Sequence, residues 1–352
     1  MRRSVLYAAL AAIWVAAQLS CVAAAEDVPA TVTQAIATTP APASSGPEAV
    51  TVGVFINDIQ ELDFRNHSYA VDLYVWFRWR DPALNPAKTM EFMNRFAPND
   101  HARETTYAEP KKMPDGSLYN VIRDQGRFST KFQLERYPFD RQVLSVIMED
   151  AESSGTQLYV PDKAPVTINP NITLPGFRLG APRMMIADNK YPTDFGDLAV
   201  PNPESYSRVI LEVPVTRPMV TLAIKTFVPI LLIIACAALV YFIRPVYIDG
   251  RIGLGITALL TLVALQLTAS ASLPEVDYLM MIDKVYLASY GFILAALVRV
   301  VSTSWVGGAA TASEARVAAA DRRWAVAMIA LYVLAVGVIA ALALDVLPSS
   351  GT

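Results

Sequence analysis

Residues 249–274, "DGRIGLGITALLTLVALQLTASASLP", carry no charge between Arg251 and Glu275. The stretch is long enough to cross the hydrocarbon core of a bilayer as a helix. It nevertheless holds Thr257, Thr261, Gln266, Thr268, Ser270 and Ser272, whereas the apolar run upstream, "FVPILLIIACAALVYFI" (227–243), has no serine or threonine. On a helix of 3.6 residues per turn, Thr257, Thr261, Thr268 and Ser272 follow one another at steps of four, seven and four and form one stripe. Gly253 and Ala264 lie close to it; Leu259, Leu262, Val263 and Gln266 lie on the other side. Two readings stay open on this pattern. Small and hydroxylated residues serve close helix–helix contacts in lipid, and they also serve the wall of a water-filled pore, where polar groups inside a membrane are tolerated. The second reading requires several copies of the chain around an axis.

Working outward, four apolar segments of spanning length follow Arg217, at 218–243, 252–272, 278–301 and 323–346. Their links are short, and the 302–322 link is rich in Ala, Gly and Ser with scattered charge. Arg244 and Arg251 flank the first link and Arg299, Arg316, Arg322 and Arg323 the third, while the second carries Glu275, Asp277 and Asp283. The excess of arginine places the first and third links in the cytoplasm and the second outside.

Upstream of the spans the period becomes two. In "YAVDLYVWFRWRDP", Val71, Leu73, Val75, Phe77 and Trp79 alternate with Asp72, Tyr74, Trp76, Arg78 and Arg80, the pattern of a half-buried strand. "VTVGVFI", "QVLSVIM" and "SRVILEVPV" behave alike, with turn clusters such as "MPDGS" and "INPN" between them. Residues 48–217 are therefore expected to form an antiparallel β-sandwich. Residues 26–47 read as a disordered lead-in of Ala, Thr, Pro and Ser, and residues 1–25 as a signal peptide: Arg2 and Arg3, an apolar run from Val5 to Val15, then small residues up to Ala25. An exported sandwich agrees with the charge-derived topology, which puts it on the same side as the second link.

The chain has 352 residues, of which 54% are hydrophobic, and a formal net charge of −3, which excludes a nucleic-acid partner driven by basic charge. Its two cysteines, Cys21 and Cys236, both lie outside the sandwich, whose core must hold without disulfides. No enzyme activity is expected: there is no G-x-S-x-G, no Gly-rich phosphate loop, and the acids Glu149 and Asp150 are adjacent on a strand and point to opposite faces. No cofactor is expected either, with Ca²⁺ or protons as candidate modulators. His67 and His101 are the only side chains that titrate unperturbed near neutrality. A membrane-anchored sensor without a pore is the rival reading.

"YPFD" at 137–140, "SLPEVDY" at 272–278, "RWRDPAL" at 78–84, "TRPM" at 216–219, Pro229 in the first span and above all "RIGLGITALLTL" at 251–262 together resemble the pentameric ligand-gated ion channels, the Cys-loop receptor superfamily. The resemblance runs over about 48–346. Where animal members place the two cysteines of their disulfide-closed turn, this chain has Thr130 and Leu144, which is similar to the prokaryotic branch. What the resemblance implies is a homopentamer in the inner (plasma) membrane, with a ligand-binding sandwich in the periplasm and a four-span pore domain.

The same resemblance implies roles for particular residues. Asp249, Gly253, Thr257, Leu260, Ala264, Leu267 and Ala271 would line the pore, Leu260 and Leu267 would gate it by dewetting, and Asp249 at its mouth would select monovalent cations. Arg251 and "GRIGLGIT" resemble anion-selective members instead, so an anion channel is the alternative. Asp63, Tyr137, Pro138, Asp140, Arg217, Pro274 and Glu275 would couple the sandwich to the spans, with Arg217 held between Asp63 and Asp140. An unknown small agonist would bind among Tyr74, Trp76 and Tyr206. Where the family has its main tryptophan this chain has Ala151, flanked by Asp150 and Glu152, so amines, protons and a metal ion are all candidate stimuli.

Overall fold

The alternation at residues 71–79 is a strand with its apolar set turned inward: Val71, Leu73, Val75, Phe77 and Trp79 are buried, and Tyr74, Trp76 and Arg78 between them are half-buried. The computed structural model describes residues 46–196, 205–304 and 311–345; the expected signal peptide and all of the lead-in up to residue 45 lie outside them. Eleven strands precede the helices among the described residues: β1 (Glu48–Asp63), β2 (Ser68–Trp79), β3 (Met90–Phe92), β4 (Ala102–Thr105), β5 (Lys111–Lys112), β6 (Leu118–Ser129), β7 (Arg141–Asp150), β8 (Gln157–Ile168), β9 (Arg178–Leu179), β10 (Arg183–Lys190) and β11 (Ser205–Thr216).

One sheet runs β4-β6-β2-β1-β8, with β5 also on β6; the other runs β10-β11-β7-β3, with β9 on β11. The two are faced by Val50, Val52, Val54 and Ile56 of β1, Leu73 to Trp79 of β2, Leu144, Val146 and Met148 of β7, and Val209 to Val215 of β11, all buried at alternate positions. That density of branched side chains is the core of a cysteine-free sandwich. One pairing departs from the antiparallel expectation. β8 lies parallel to β1, from Glu48 opposite Gln157 to Ile56 opposite Ile168. The chain leaves the second sheet after β7 and joins the first at its edge in the direction of β1, a crossover that a period-two pattern does not reveal. Trp76 lies flat across Gly53 of β1: a Cβ there would stand 2.2 Å from Trp76 Cζ2, so only glycine admits the ring.

Four helices follow that are long and apolar enough to cross a membrane. They are α1 (Met219–Ala238), which continues as a 3₁₀ turn over Leu239–Tyr241, α2 (Ile248–Ser270), α3 (Met281–Ser304) and α4 (Thr311–Asp345). Two boundaries differ from the hydropathy reading. α2 begins at Ile248 rather than 252, which brings Asp249 into its first turn, and it ends at Ser270, which leaves Ala271 and Ser272 in the link. α4 begins at Thr311 rather than 323. Its extra turns, "TASEARVAAADR", are too polar to register as a span but are alanine-rich and helix-forming. α3 is the most enclosed helix, and Ser289 meets the Tyr332 hydroxyl of α4 at 3.0 Å. The chain divides into two compact units, Ser44–Ile224 with Ala269–Asp277, and Lys225–Thr268 with the residues from Tyr278 on.

Candidate functional site

α2 presents two unlike faces. Arg251, Gly255, Ala258 and Leu262 are buried against the other helices of its unit, and Gly255 sits close to α3, where a Cβ would stand 2.5 Å from Leu297 Cδ2 unless that side chain turned aside. Asp249, Gly253, Thr257, Leu260, Ala264, Leu267 and Ala271 are all exposed, Leu260 and Leu267 by 64% and 67%. At 100° per residue the six of them on the helix, from Asp249 to Leu267, fall within an arc of about 80°, centred opposite the buried four. The resemblance-derived set is therefore one continuous face that the protomer itself does not pack.

The hydroxyls that opened the question have an answer in the backbone. Thr257, Thr261 and Thr268 donate to the carbonyls of Gly253, Thr257 and Ala264, four residues back, at 2.8, 2.8 and 2.9 Å. Their donors are satisfied inside the helix, and their lone pairs remain outward. Gln266 belongs to the packed side, where it accepts a hydrogen bond from the Tyr290 hydroxyl at 2.5 Å. Ser272 lies beyond the helix end.

Within the first unit, Arg217 lies just after β11, and its guanidinium stands over three rings, Phe64 at 4.4 Å, Phe177 at 4.7 Å and Tyr137 at 5.2 Å. Its Nε donates to Asp140 at 3.0 Å, and Asp140, itself buried, also accepts from Gln142 at 2.6 Å. The Tyr137–Pro138 peptide bond is cis. The expected clamp of Arg217 between two carboxylates is corrected here. Asp63 is turned the other way: it accepts from the Asn66 backbone and side chain at 3.1 and 2.7 Å and pairs with Arg127 at 3.5 Å. The reason is local. The Asx turn over 63–66 fixes the carboxylate toward β6, where Arg127 also binds Glu61 and Ser68. Burial would raise the Asp63 carboxyl, but the Asn66 bonds and the Arg127 charge outweigh it and hold its pKa low. Aromatic faces thus take the place of the second carboxylate around Arg217.

A cavity of about 360 Å³ opens beside this cluster, lined among others by Asp63, Phe64, Tyr137, Arg217, Ser272 and Leu273. Pro138 and Pro274 are buried and Glu275 is exposed. Asp140→Ala would leave the guanidinium without its buried partner and is expected to lower stability by about 3 kcal/mol. Arg217→Lys keeps the charge but loses the planar stack, and a loss of about 1–2 kcal/mol is expected. Chemical unfolding of the purified protein checks both; a lysine variant as stable as the parent would mean that the rings contribute nothing.

The residues assigned to a ligand site between subunits lie on both sheets of one protomer, Tyr74 and Trp76 on β2 and Tyr206 on β11. Tyr74 carries the Arg123 guanidinium over its ring at 5.3 Å, and Arg123 is itself held by Asp72 through two bonds of 3.0 and 2.8 Å. Trp76 donates its indole N–H to Asp162 at 2.8 Å. Asp150 is corrected from an open ligand acid to an interior one: it is buried and accepts from the Tyr159 hydroxyl at 2.7 Å and the Glu152 backbone at 3.1 Å. Glu152 itself is half-buried. Tyr206 joins a group that the sequence reading missed. Its ring lies 5.8 Å from Tyr191, Tyr191 lies 5.2 Å from Phe195, and Glu149 accepts from the Tyr191 hydroxyl at 2.6 Å and from Arg208 at 2.5 Å. Arg208 stands opposite Glu149 in the β7–β11 register; the period-two pattern shows that Tyr206 and Arg208 share a face, but not which acid they meet.

Both histidines are engaged. His67 adopts φ 52° and its Nδ1 accepts the Phe132 N–H at 3.2 Å; burial, then the charge of Lys131, hold its pKa below the usual histidine value. His101 is enclosed, with Nδ1 2.7 Å from Asp124 and Nε2 2.7 Å from the Arg127 carbonyl. Among the described residues no group of three or more His, Cys, Asp or Glu is placed to hold a metal ion.

No protein-family model matches the chain. It is 24% identical over 289 residues to pH-sensitive chloride channel 2 of Anopheles gambiae, an alignment that takes in 74% of this chain but 46% of the mosquito protein. It is 24% identical over 303 residues, 79% of this chain and 68% of the relative, to the glutamate-gated chloride channel subunit beta of Haemonchus contortus. Neither relative is named as a cation channel.

Proposed function

We propose that this chain, a distant relative of the Cys-loop ligand-gated channels, is itself a ligand-gated ion channel, a multi-pass membrane protein whose α2 helices line the pore of a homopentamer. The observation that carries the reading is the unpacked arc from Asp249 to Ala271 on a membrane-length helix. The hydroxyls of Thr257, Thr261 and Thr268 stand on that exposed side, where a water-filled passage would take up their outward lone pairs. The charge asymmetry of the links supports a sandwich on the outer side of a plasma membrane, the inner membrane in a two-membrane cell.

The permeant ion is the finer point. Asp249 is exposed in the first turn of α2 while Arg251 is turned into the bundle, which favours monovalent cations at the inner mouth. A second reading, chloride, is favoured by the names of both relatives. A reversal potential under a salt gradient separates the two.

For the stimulus we favour protons, a reading supported by the geometry at His67 and in line with one relative's name. Its Nδ1 accepts a hydrogen bond only while unprotonated. Since the folded-state pKa is depressed, the neutral imidazole contributes stability above the unfolded value of about 6.5, and that contribution is lost as pH falls through the folded value. Acidification then frees the Phe132 N–H at the start of the turn that carries Tyr137 and Asp140. Planar-bilayer recording is the test, with steps from pH 8 into the acid range and then amines and Ca²⁺ at fixed pH. His67→Asn offers an oxygen in place of Nδ1 and tolerates positive φ but does not titrate, so it is expected to flatten the acid response. An unchanged response assigns the proton elsewhere; silence under every stimulus counts against the channel.

A further inference from the structure

We infer that Asp321 of α4 is a positioning residue for ion selectivity, acting by holding the Arg251 guanidinium out of the conduction path; the inference rests on the reading that α2 lines the pore. Arg251 is two residues from Asp249 and within the first turn of the same helix. Its position in sequence would set a second charge at the same mouth. It is instead 1% exposed, with Nε donating to the Val240 carbonyl at 2.9 Å, one terminal nitrogen to Thr303 at 3.4 Å and the other to Asp321 at 2.6 Å. Asp321 is fully buried and divides its two oxygens, one to Arg251 and the other to Arg299 of α3 at 2.8 Å.

A single carboxylate therefore serves two guanidinium groups drawn from two other helices. Arg299 is the more exposed of the two and also stands over the Trp324 ring at 5.7 Å. Val240 and Thr303 offer Arg251 hydrogen bonds but no charge. Asp321 is the one acidic partner of Arg251 among the described residues. With that charge removed, two like-charged groups face each other in a site where Arg251 is 1% exposed. The free response is for the long Arg251 side chain to turn toward the exposed face, where water solvates it. Each subunit then adds a positive charge beside Asp249, and the field at the mouth shifts in favour of anions whichever ion the parent channel prefers.

The test uses full-length channels in a Leu260→Ser background, expected to conduct without stimulus, with reversal potentials read under a NaCl gradient. Asp321→Asn is expected to raise the chloride-to-sodium permeability ratio several-fold, and Arg251→Gln in the same chain to abolish that rise, which a merely structural role for Asp321 would not produce. A ratio unchanged by Asp321→Asn, or a rise that survives in the double variant, overturns the inference. Should the Leu260→Ser background carry no current, it is the gate assignment that falls. The pairing is then judged by thermal unfolding in detergent: a melting temperature lowered by Asp321→Asn and recovered by adding Arg251→Gln supports it, and no recovery overturns it.

Discussion

Asp249→Asn is expected to move the reversal potential toward the chloride equilibrium value, with the cation-to-anion permeability ratio falling by about tenfold in dilute salt. Asp249 is exposed, in the first turn of α2, at one end of the unpacked arc. Under the proposed pentameric reading it would make a ring of carboxylates across the inner mouth, where field lines would concentrate counter-ions. Local neutralisation is weak, since Arg251, the nearest cation in sequence, is committed to Asp321. The same physics sets the salt dependence. The Debye length contracts from about 10 Å at 0.1 M to about 3 Å at 1 M, so the gap between parent and variant should narrow in strong salt. Permeability ratios that are identical at low ionic strength would remove Asp249 from the mouth.

Leu260→Ser is the second large effect. The parent is expected to be closed at rest and the variant to leak without any stimulus. Leu260 and Leu267 stand 64% and 67% exposed on the arc, and successive apolar rings there would expel water from a passage wide enough to hold it. A serine hydroxyl rehydrates the constriction. Because Leu260 is unpacked within the protomer, the change opens no cavity in the core, and the folded protein should persist. Leu294→Ser on α3, 61% exposed and off the α2 arc, is the matched control and should give no resting current. Leak through both variants would point to general disruption of the bundle, and leak through neither would remove Leu260 from the gate.

Period and length alone marked a membrane-length α2 with a threonine stripe; which residues stand on its unpacked face was implied by the resemblance. Helical geometry gave the stripe of Thr257, Thr261, Thr268 and Ser272, which only partly overlaps the exposed set from Asp249 to Leu267, and Ala271 falls just past the helix end at Ser270. The Arg217 cluster was legible by half. Asp140 is its partner, as the motif suggested, but three rings from Phe64, Phe177 and Tyr137 stand where a second carboxylate was expected. Phe177 lies 40 residues before Arg217 in the numbering, and nothing in its local pattern announces the contact. Asp63 shows the same limit from the other side: its charge was visible, but its direction is set by Asn66 and by a strand, β6, that returns beside it.

The sequence by itself determined four of the strands and the four membrane-length helices, because side-chain alternation and hydrophobic length are properties of contiguous residues. Only the tertiary structure decided which charges meet. It paired Arg251 with Asp321 across 70 residues, Arg208 with Glu149 across 59, and Asp63 with Arg127 across 64. It also ran β8 parallel to β1. The physical reason is common to all four: a carboxylate, a guanidinium or a strand edge accepts any partner of suitable chemistry, and the choice among them is made by packing between segments far apart in the chain.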